Sequence, residues 1–192
     1  SFAAVENVKV GGDVTVYGIY RNNFDFTDDS VSKDQQHAYQ TSLRVYVAAQ
    51  LSDNVSAMVR LINERAWGQN YDSFSDVSLD LGYVKLADLM TPGLTLTVGR
   101  QEIQIGEGFV VGSAYNAGNY NVNSALVAND LGLQKAFDAV RVDYALAGLP
   151  INFMGFVSKI DEQVGGTGAG LDTTLYGISM LWKPENWTLE PY

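Results

Sequence analysis

The chain has 192 residues, a formal charge of −10 and no cysteine. The acidic balance argues against nucleic acid, whose binders carry basic patches, and the missing cysteines exclude a disulfide scaffold or a thiolate metal site. Hydrophobic residues make up 46% of the sequence, but they are dispersed, and no apolar run approaches the ~18 residues of a helical membrane span. If the chain crosses a membrane it must do so with strands, which need only about 9–11 residues each. The start, Ser1-Phe2-Ala3-Ala4, carries no signal-peptide pattern and is compatible with the mature end of an exported chain.

Apolar and polar residues alternate with period two, the mark of strands with unlike faces. Eight runs show the pattern, at about 8–24, 37–50, 55–67, 77–88, 94–106, 136–146, 151–160 and 173–183. In the first, Val10, Val14, Val16 and Tyr20 share a face and leave Asp13 and Arg21 on the other. In the second, Leu43, Val45, Val47 and Ala49 oppose Arg44 and Gln50. In the third, Ala57, Val59 and Leu61 oppose Arg60 and Glu64. The fourth groups Val77, Leu79, Leu81 and Tyr83 against Asp80. The fifth breaks the rule, because Leu94, Leu96 and Val98 share a parity with Arg100, Glu102 and Gln104. One extra residue at Gly99-Arg100, where glycine suits a bulge, would return Arg100 and Glu102 to the polar side. The sixth groups Val140, Val142, Tyr144 and Leu146 against Arg141 and Asp143, and the seventh is apolar on both faces. No helical period is sustained, although 122–135 could hold one or two helical turns.

The connections alternate in length. Those at 51–54, 88–93, 147–150 and 183–186 are short and rich in turn formers, whereas 23–36, 68–76, 107–135 and 161–172 are long. Outer-membrane barrels have this asymmetry, with short periplasmic turns and long external loops. The aromatics agree with it: Tyr20, Tyr39 and Trp67 fall at long-loop ends, and Tyr83, Tyr144, Phe153 and Trp182 at short-turn ends, as in the two girdles at the membrane interfaces. After the last turn, Trp187 to Glu190 begins a further strand. The fold expected is therefore all-β: an antiparallel transmembrane β-barrel segment spanning 1–192, of eight to nine strands, incomplete at its C-terminal end and belonging to a larger barrel.

The run Gly99-Arg100-Gln101-Glu102-Ile103-Gln104-Ile105-Gly106-Glu107-Gly108-Phe109-Val110-Val111-Gly112 resembles the signature segment of the alginate-export porin family. Phe137-Asp138-Ala139-Val140-Arg141-Val142-Asp143-Tyr144 resembles that family's second motif, in the same order and separation. The resemblance covers mainly 94–144. It implies a monomeric barrel of about eighteen strands, a count that comes from the family resemblance and not from the ~9–11-residue strand length, passing an anionic polysaccharide or other polar solutes. The chain departs from that pattern in its overall acidity.

Counted from the short turns, Arg44, Arg60, Arg100 and Arg141 stand at similar height near mid-wall, with Asp13, Asp80, Glu102 and Asp143 at or near that level. The candidate pore-lining set is Arg21, Arg44, Arg60, Glu64, Asp80, Arg100, Glu102, Arg141 and Asp143. Two readings stay open: a charged constriction that selects permeating ions, and a cross-strand ion-pair ladder that stiffens the wall. His37 is the only histidine, so no histidine-based metal site or triad is available without unusual ligands, and it is expected at a strand top with no special role. The acidic loop with Asp25, Asp28, Asp29 and Asp34 lacks the glycine-punctuated spacing of a calcium loop, and the glycine-rich 165–170 follows no phosphate-binding motif. No enzyme, metal or cofactor is expected. The partners expected are outer-membrane lipid, polar or anionic solutes or a polysaccharide, and other envelope proteins. Two alternatives remain: an eight-stranded barrel closed on itself with a structural or adhesive role, and a soluble carbohydrate-binding β-sandwich.

Overall fold

The computed structural model describes residues 7–22, 35–68, 77–112, 131–161 and 173–192. Eight antiparallel strands lie side by side in chain order in one sheet: β1 (Asn7–Arg21), β2 (Gln36–Ser52), β3 (Val55–Ala66), β4 (Ser78–Leu86), β5 (Leu94–Glu102), β6 (Ala136–Ala145), β7 (Ile151–Asp161) and β8 (Thr173–Trp182). No α-helix occurs among the described residues. All eight expected strands form, within a few residues of their expected bounds. The largest departure is β5, which stops at Glu102. Beyond it the chain turns at Gly106 and Glu107, where the Gly108 N–H donates to the Ile105 carbonyl at 3.0 Å and the Ile105 N–H to the Val111 carbonyl at 2.9 Å. The acidic loop, the glycine-rich 165–170 and most of the 122–135 segment lie outside the described residues.

Sheet rungs place directly opposed side chains on the same face, so the register sorts the whole sheet. We call inner the face on which 103–112 and 131–135 pack, and outer the opposite one. Val10, Val47 and Val59 share an outer row, and Val8, Ala49, Ala57, Val84, Val98, Val140, Val157 and Tyr176 share the next. The large apolar side chains of this face are exposed: Val10 is 71% exposed, Tyr176 75% and, in the following row, Ile178 74%. The inner face is covered most fully over β6 to β8, where Ile103, Ile105 and Val111 pack on Phe137, Ala139, Met154 and Phe156. A sandwich would place a second sheet there. The cover is instead the start of the β5–β6 connection.

Two of the expected facings are corrected. The β3–β4 ladder shifts between Arg60 and Leu61, so Asp80 is an extra residue on β4. Val77 and Leu79 remain exposed on the outer side, but Leu81 is buried and Tyr83 enters the inner row of Met58. A bulge reverses parity along its strand, so Val84 rather than Tyr83 continues the outer face. At Gly99 the reverse occurs. Both of its ladders run through without a shift, and Arg100 stands opposite Asp138, in phase with Val98 and Val140. Gly99 takes φ 118° and a Cβ there would run into the Gly82 carbonyl, so only glycine lets β4 and β5 approach at this rung.

β1 and β8 do not pair with each other, so the sheet is open and the closed eight-stranded alternative is not formed. Along the free edge of β8 the chain makes an isolated bridge. Trp182 and Leu189 exchange backbone hydrogen bonds of 2.8 and 2.9 Å, and the Met180 N–H donates to the Pro191 carbonyl at 3.1 Å.

Gly177 leaves the space that the Phe156 ring fills, and a Cβ there would overlap that ring. Gly177→Val should therefore displace Phe156 from the inner core at a cost of about 1–3 kcal/mol. Urea unfolding followed by tryptophan fluorescence should show the loss; an unchanged midpoint would mean that Phe156 is not packed there.

Candidate functional site

The inner face carries charges at mid-strand, and each arginine there has a carboxylate at hand. Asp13 and Arg44 are opposed in register, and the Arg44 Nε donates to both carboxylate oxygens at 3.1 Å. The bulge that inserts Asp80 points its carboxylate at Arg60, whose Nε donates to Oδ2, while the other end of that guanidinium meets Glu102. Glu102 lies beyond the last rung shared by β4 and β5 and remains half exposed, whereas Asp80 is fully buried. Arg141 pairs along its own strand with Asp143, its Nη2 donating at 2.6 Å. Arg21 sits half-buried on the inner side at the long-loop end of β1. Arg100 is set apart from these residues by its outer-row pairing with Asp138. Arg44 and Arg60 thus pair across strands, whereas Arg141 pairs along its own strand.

The three inner arginines are not level in the ladder. Arg44 lies opposite Asp13, Arg60 reaches Gly11 through Tyr46, and Arg141 lies in the row of Thr97, Lys85, Ser56, Gln50 and Asn7. From β2 to β6 they therefore descend six residues in register. At about 3.3 Å per residue and about 4.8 Å between strands, that is a slant of roughly 45°. The apolar belt slants the same way: its long-loop margin runs from Tyr20 to Tyr176 and its short-turn margin from Val8 to Trp182. Those two lines bracket a slant of about 30–50° by the same spacings. Strands tilted by ~35–45° are what barrel closure requires.

Glu64 does something the sequence did not disclose. It is 4% exposed, and its Oε1 accepts the Ser42 hydroxyl at 2.7 Å and the Leu133 N–H at 2.8 Å. The neighbouring Gln134 side chain donates to the Leu79 carbonyl at 3.3 Å. Both ends of the β5–β6 connection are thereby held on the inner face: 131–135 over β3 and β4, and 103–112 over β6 and β7. The first end is also tied by the Glu190 carboxylate, which accepts the Gly106 N–H at 2.9 Å. No signal in the strand pattern points to these contacts, because they depend on where a loop lands. Nearer the short turns, two hollows remain on the inner side: one of about 520 Å³ lined by Lys9, Gln50, Tyr83 and Lys85, and one of about 260 Å³ lined by Thr97, Gln101, Arg141 and Asp143. No group of acids or histidines with metal-binding spacing occurs among the described residues.

An open antiparallel sheet with one apolar and one charged, partly covered face is the class of architecture defined here. The chain matches no family model, no curated protein and no solved structure.

Removing one member of a buried ion pair leaves the other charge uncompensated, at a cost of about 3–5 kcal/mol. Arg60→Ala should reach that range because Asp80 is buried. Arg44→Ala should stay below about 1 kcal/mol because Asp13 is largely solvated. Equal losses in urea unfolding of the two variants would contradict this ranking.

Proposed function

We propose that the chain forms part of the wall of an outer-membrane β-barrel channel, whose inner face lines a water-filled path for polar or anionic solutes, oligo- or polysaccharides among them. The observation that carries this reading is the common slant of the apolar belt and the inner arginines. An apolar surface spread over eight strands is far larger than the few-hundred-Å² patches of soluble monomers. Its oblique course across the ladder fits a slab of hydrocarbon crossed by tilted strands. The margins support the same reading. Tyr20 packs edge-on against His37, with ring centres 4.7 Å apart, and Tyr39 lies 5.1 Å from Trp67, whose indole N–H donates to Thr41. At the other margin Trp182 meets Trp187 at 4.6 Å. Aromatic rings with a polar tip suit a membrane interface. The resemblance of 99–112 and 137–144 to alginate-export porins leads to the same class.

Alternating donors and acceptors along the inner wall suit hydroxyl-rich solutes. Because each mid-wall arginine is paired, the wall discriminates weakly by sign of charge. The loop ends held by Glu64 and by the Ile103 cluster narrow the path and so limit solute size.

A membrane location carries a geometric consequence. Leu96, Val142, Gly155 and Ile178 share one unbroken row of rungs, yet on strands tilted by about 40° its two ends differ in depth by about 9 Å. Nitroxide labels at Leu96 and Ile178, read by oxygen and nickel accessibility in vesicles, should differ by that amount. Labels at Leu43 and Ile178, eight residues apart in register, should lie at equal depth. Equal depths for Leu96 and Ile178, or labels equally open to water at all three sites, would overturn the reading. In planar bilayers the complete barrel should conduct, and Glu64→Ala, by releasing the loop, should raise single-channel conductance.

A further inference from the structure

Nearer the short turns the inner face carries cations of another kind. Lys9 on β1 and Lys85 on β4 both line the hollow of about 520 Å³, together with Asn7, Gln50, Ser56 and Tyr83. Unlike the mid-wall arginines, neither lysine is joined to a carboxylate among the described residues, and no carboxylate is among the described residues that line the hollow. The two lysines stand three strands and two register positions apart. That is roughly 16 Å between Cα atoms by ordinary sheet spacings, so their ammonium groups approach the hollow from two sides. Tyr83 and Lys85 also line the smaller hollow, whose carboxylates, Glu102 and Asp143, are already held by Arg60 and Arg141. In a chain of formal charge −10, two uncompensated cations at one concave wall focus a local positive field.

We propose that this hollow binds a small phosphorylated sugar, with Lys9 and Lys85 holding the phosphate. Lysine meets a phosphate as a point charge, whereas planar pairing with a carboxylate is the geometry of the arginine fork. The volume falls within the ~300–1,000 Å³ of small-molecule sites and exceeds what a bare ion fills. The other polar groups of the lining are neutral and suit hydroxyls. The Gln50 amide nitrogen donates to the Ser52 and Asp53 carbonyls at 2.6 and 3.3 Å, which leaves its oxygen as an acceptor. Asn7, Ser56 and Tyr83 offer both donors and acceptors. The proposal rests on the channel reading above and narrows its solute to a class: the sign of charge, weakly discriminated by the paired arginines at mid-wall, is read near the short turns.

The test uses the detergent-purified protein and isothermal titration calorimetry. Glucose 6-phosphate is the probe, and glucose, inorganic phosphate and succinate are the controls. Glucose 6-phosphate should bind more tightly than any control. Its binding should weaken about tenfold in Lys9→Gln/Lys85→Gln. It should be unchanged in Lys183→Gln, which removes a positive charge outside the hollow. Both lysines are exposed, so the double variant should keep the wild-type unfolding midpoint; if it does not fold, the two single variants decide in its place. Unchanged binding in the lysine variants, or an equal loss in Lys183→Gln, would overturn the site. Equally tight binding of inorganic phosphate would leave an ion site only, of succinate a site for any dianion, and of glucose no role for the phosphate; each overturns the assignment. Conductance in planar bilayers is scored separately. A barrel that conducts nothing sinks the channel reading, whereas a conducting barrel whose glucose 6-phosphate binding ignores Lys9 and Lys85 sinks this site alone.

Discussion

Register is the constraint on which both faces of the sheet depend. In a strand of period two, a slip of one residue would carry Arg44, Arg60 and Arg141 to the apolar side and send valines inward. The ladders hold that register across seven strand pairs, and the long-range ion pairs hold it too. Arg44 meets Asp13 only if β1 and β2 are in phase, and Arg60 meets Asp80 only through the bulge on β4. That bulge gives a buried carboxylate to a half-buried guanidinium and turns Leu81 and Tyr83 inward. The pairing of β4 with β5 begins from the reversed phase.

The inner face is organised as two regions of unlike chemistry. Over β1 to β4 its buried polar groups, Gln40, Ser42, Glu64 and Asp80, lie among Ile19, Ile62 and Leu81 and are held there by hydrogen bonds and ion pairs. Over β6 to β8 it carries an apolar cluster, in which Phe137, Met154 and Phe156 are shielded by Ile103 and Ile105. The single connection between β5 and β6 serves both. Its first residues are apolar and settle on the apolar region, and its last residues offer backbone and amide donors to Glu64 and to the Leu79 carbonyl. A buried carboxylate is costly unless such donors reach it, so the polar region and the loop stabilise each other.

Most of the fold was legible because alternation is local. Val10 to Tyr20, Leu43 to Ala49 and Val140 to Tyr144 show their faces without knowledge of any neighbour. The turns announce themselves through Asp53-Asn54, Gly93 and Gly148. What failed was not local. Nothing in Leu79-Asp80-Leu81-Gly82 announces a bulge, because the demand for one arises from Arg60 on the adjacent strand. Gly99 suggested a bulge that does not form, because Asp138, opposite Arg100, already neutralises the charge that made one seem necessary. Glu64 was legible as an inward side chain, but not as the anchor of a loop 69 residues away in sequence.

The open edges bear on the membrane reading in a way that the faces alone do not. In hydrocarbon an unpaired strand edge leaves its N–H and C=O groups without partners, at several kcal/mol each. On the β8 side, Leu189 and Pro191 already meet Trp182 and Met180, and the edge is being covered from the short-turn end. On the other side, the edge of β1 runs from Asn7 to Arg21 with its outer valines exposed. A sheet that lies in lipid through the slanted belt of β1 must have that edge paired with a further antiparallel strand along the same length. The partner strand would have to continue the slant, placing its outer apolar residues about one to two register positions higher than those of β1, the average step across the belt.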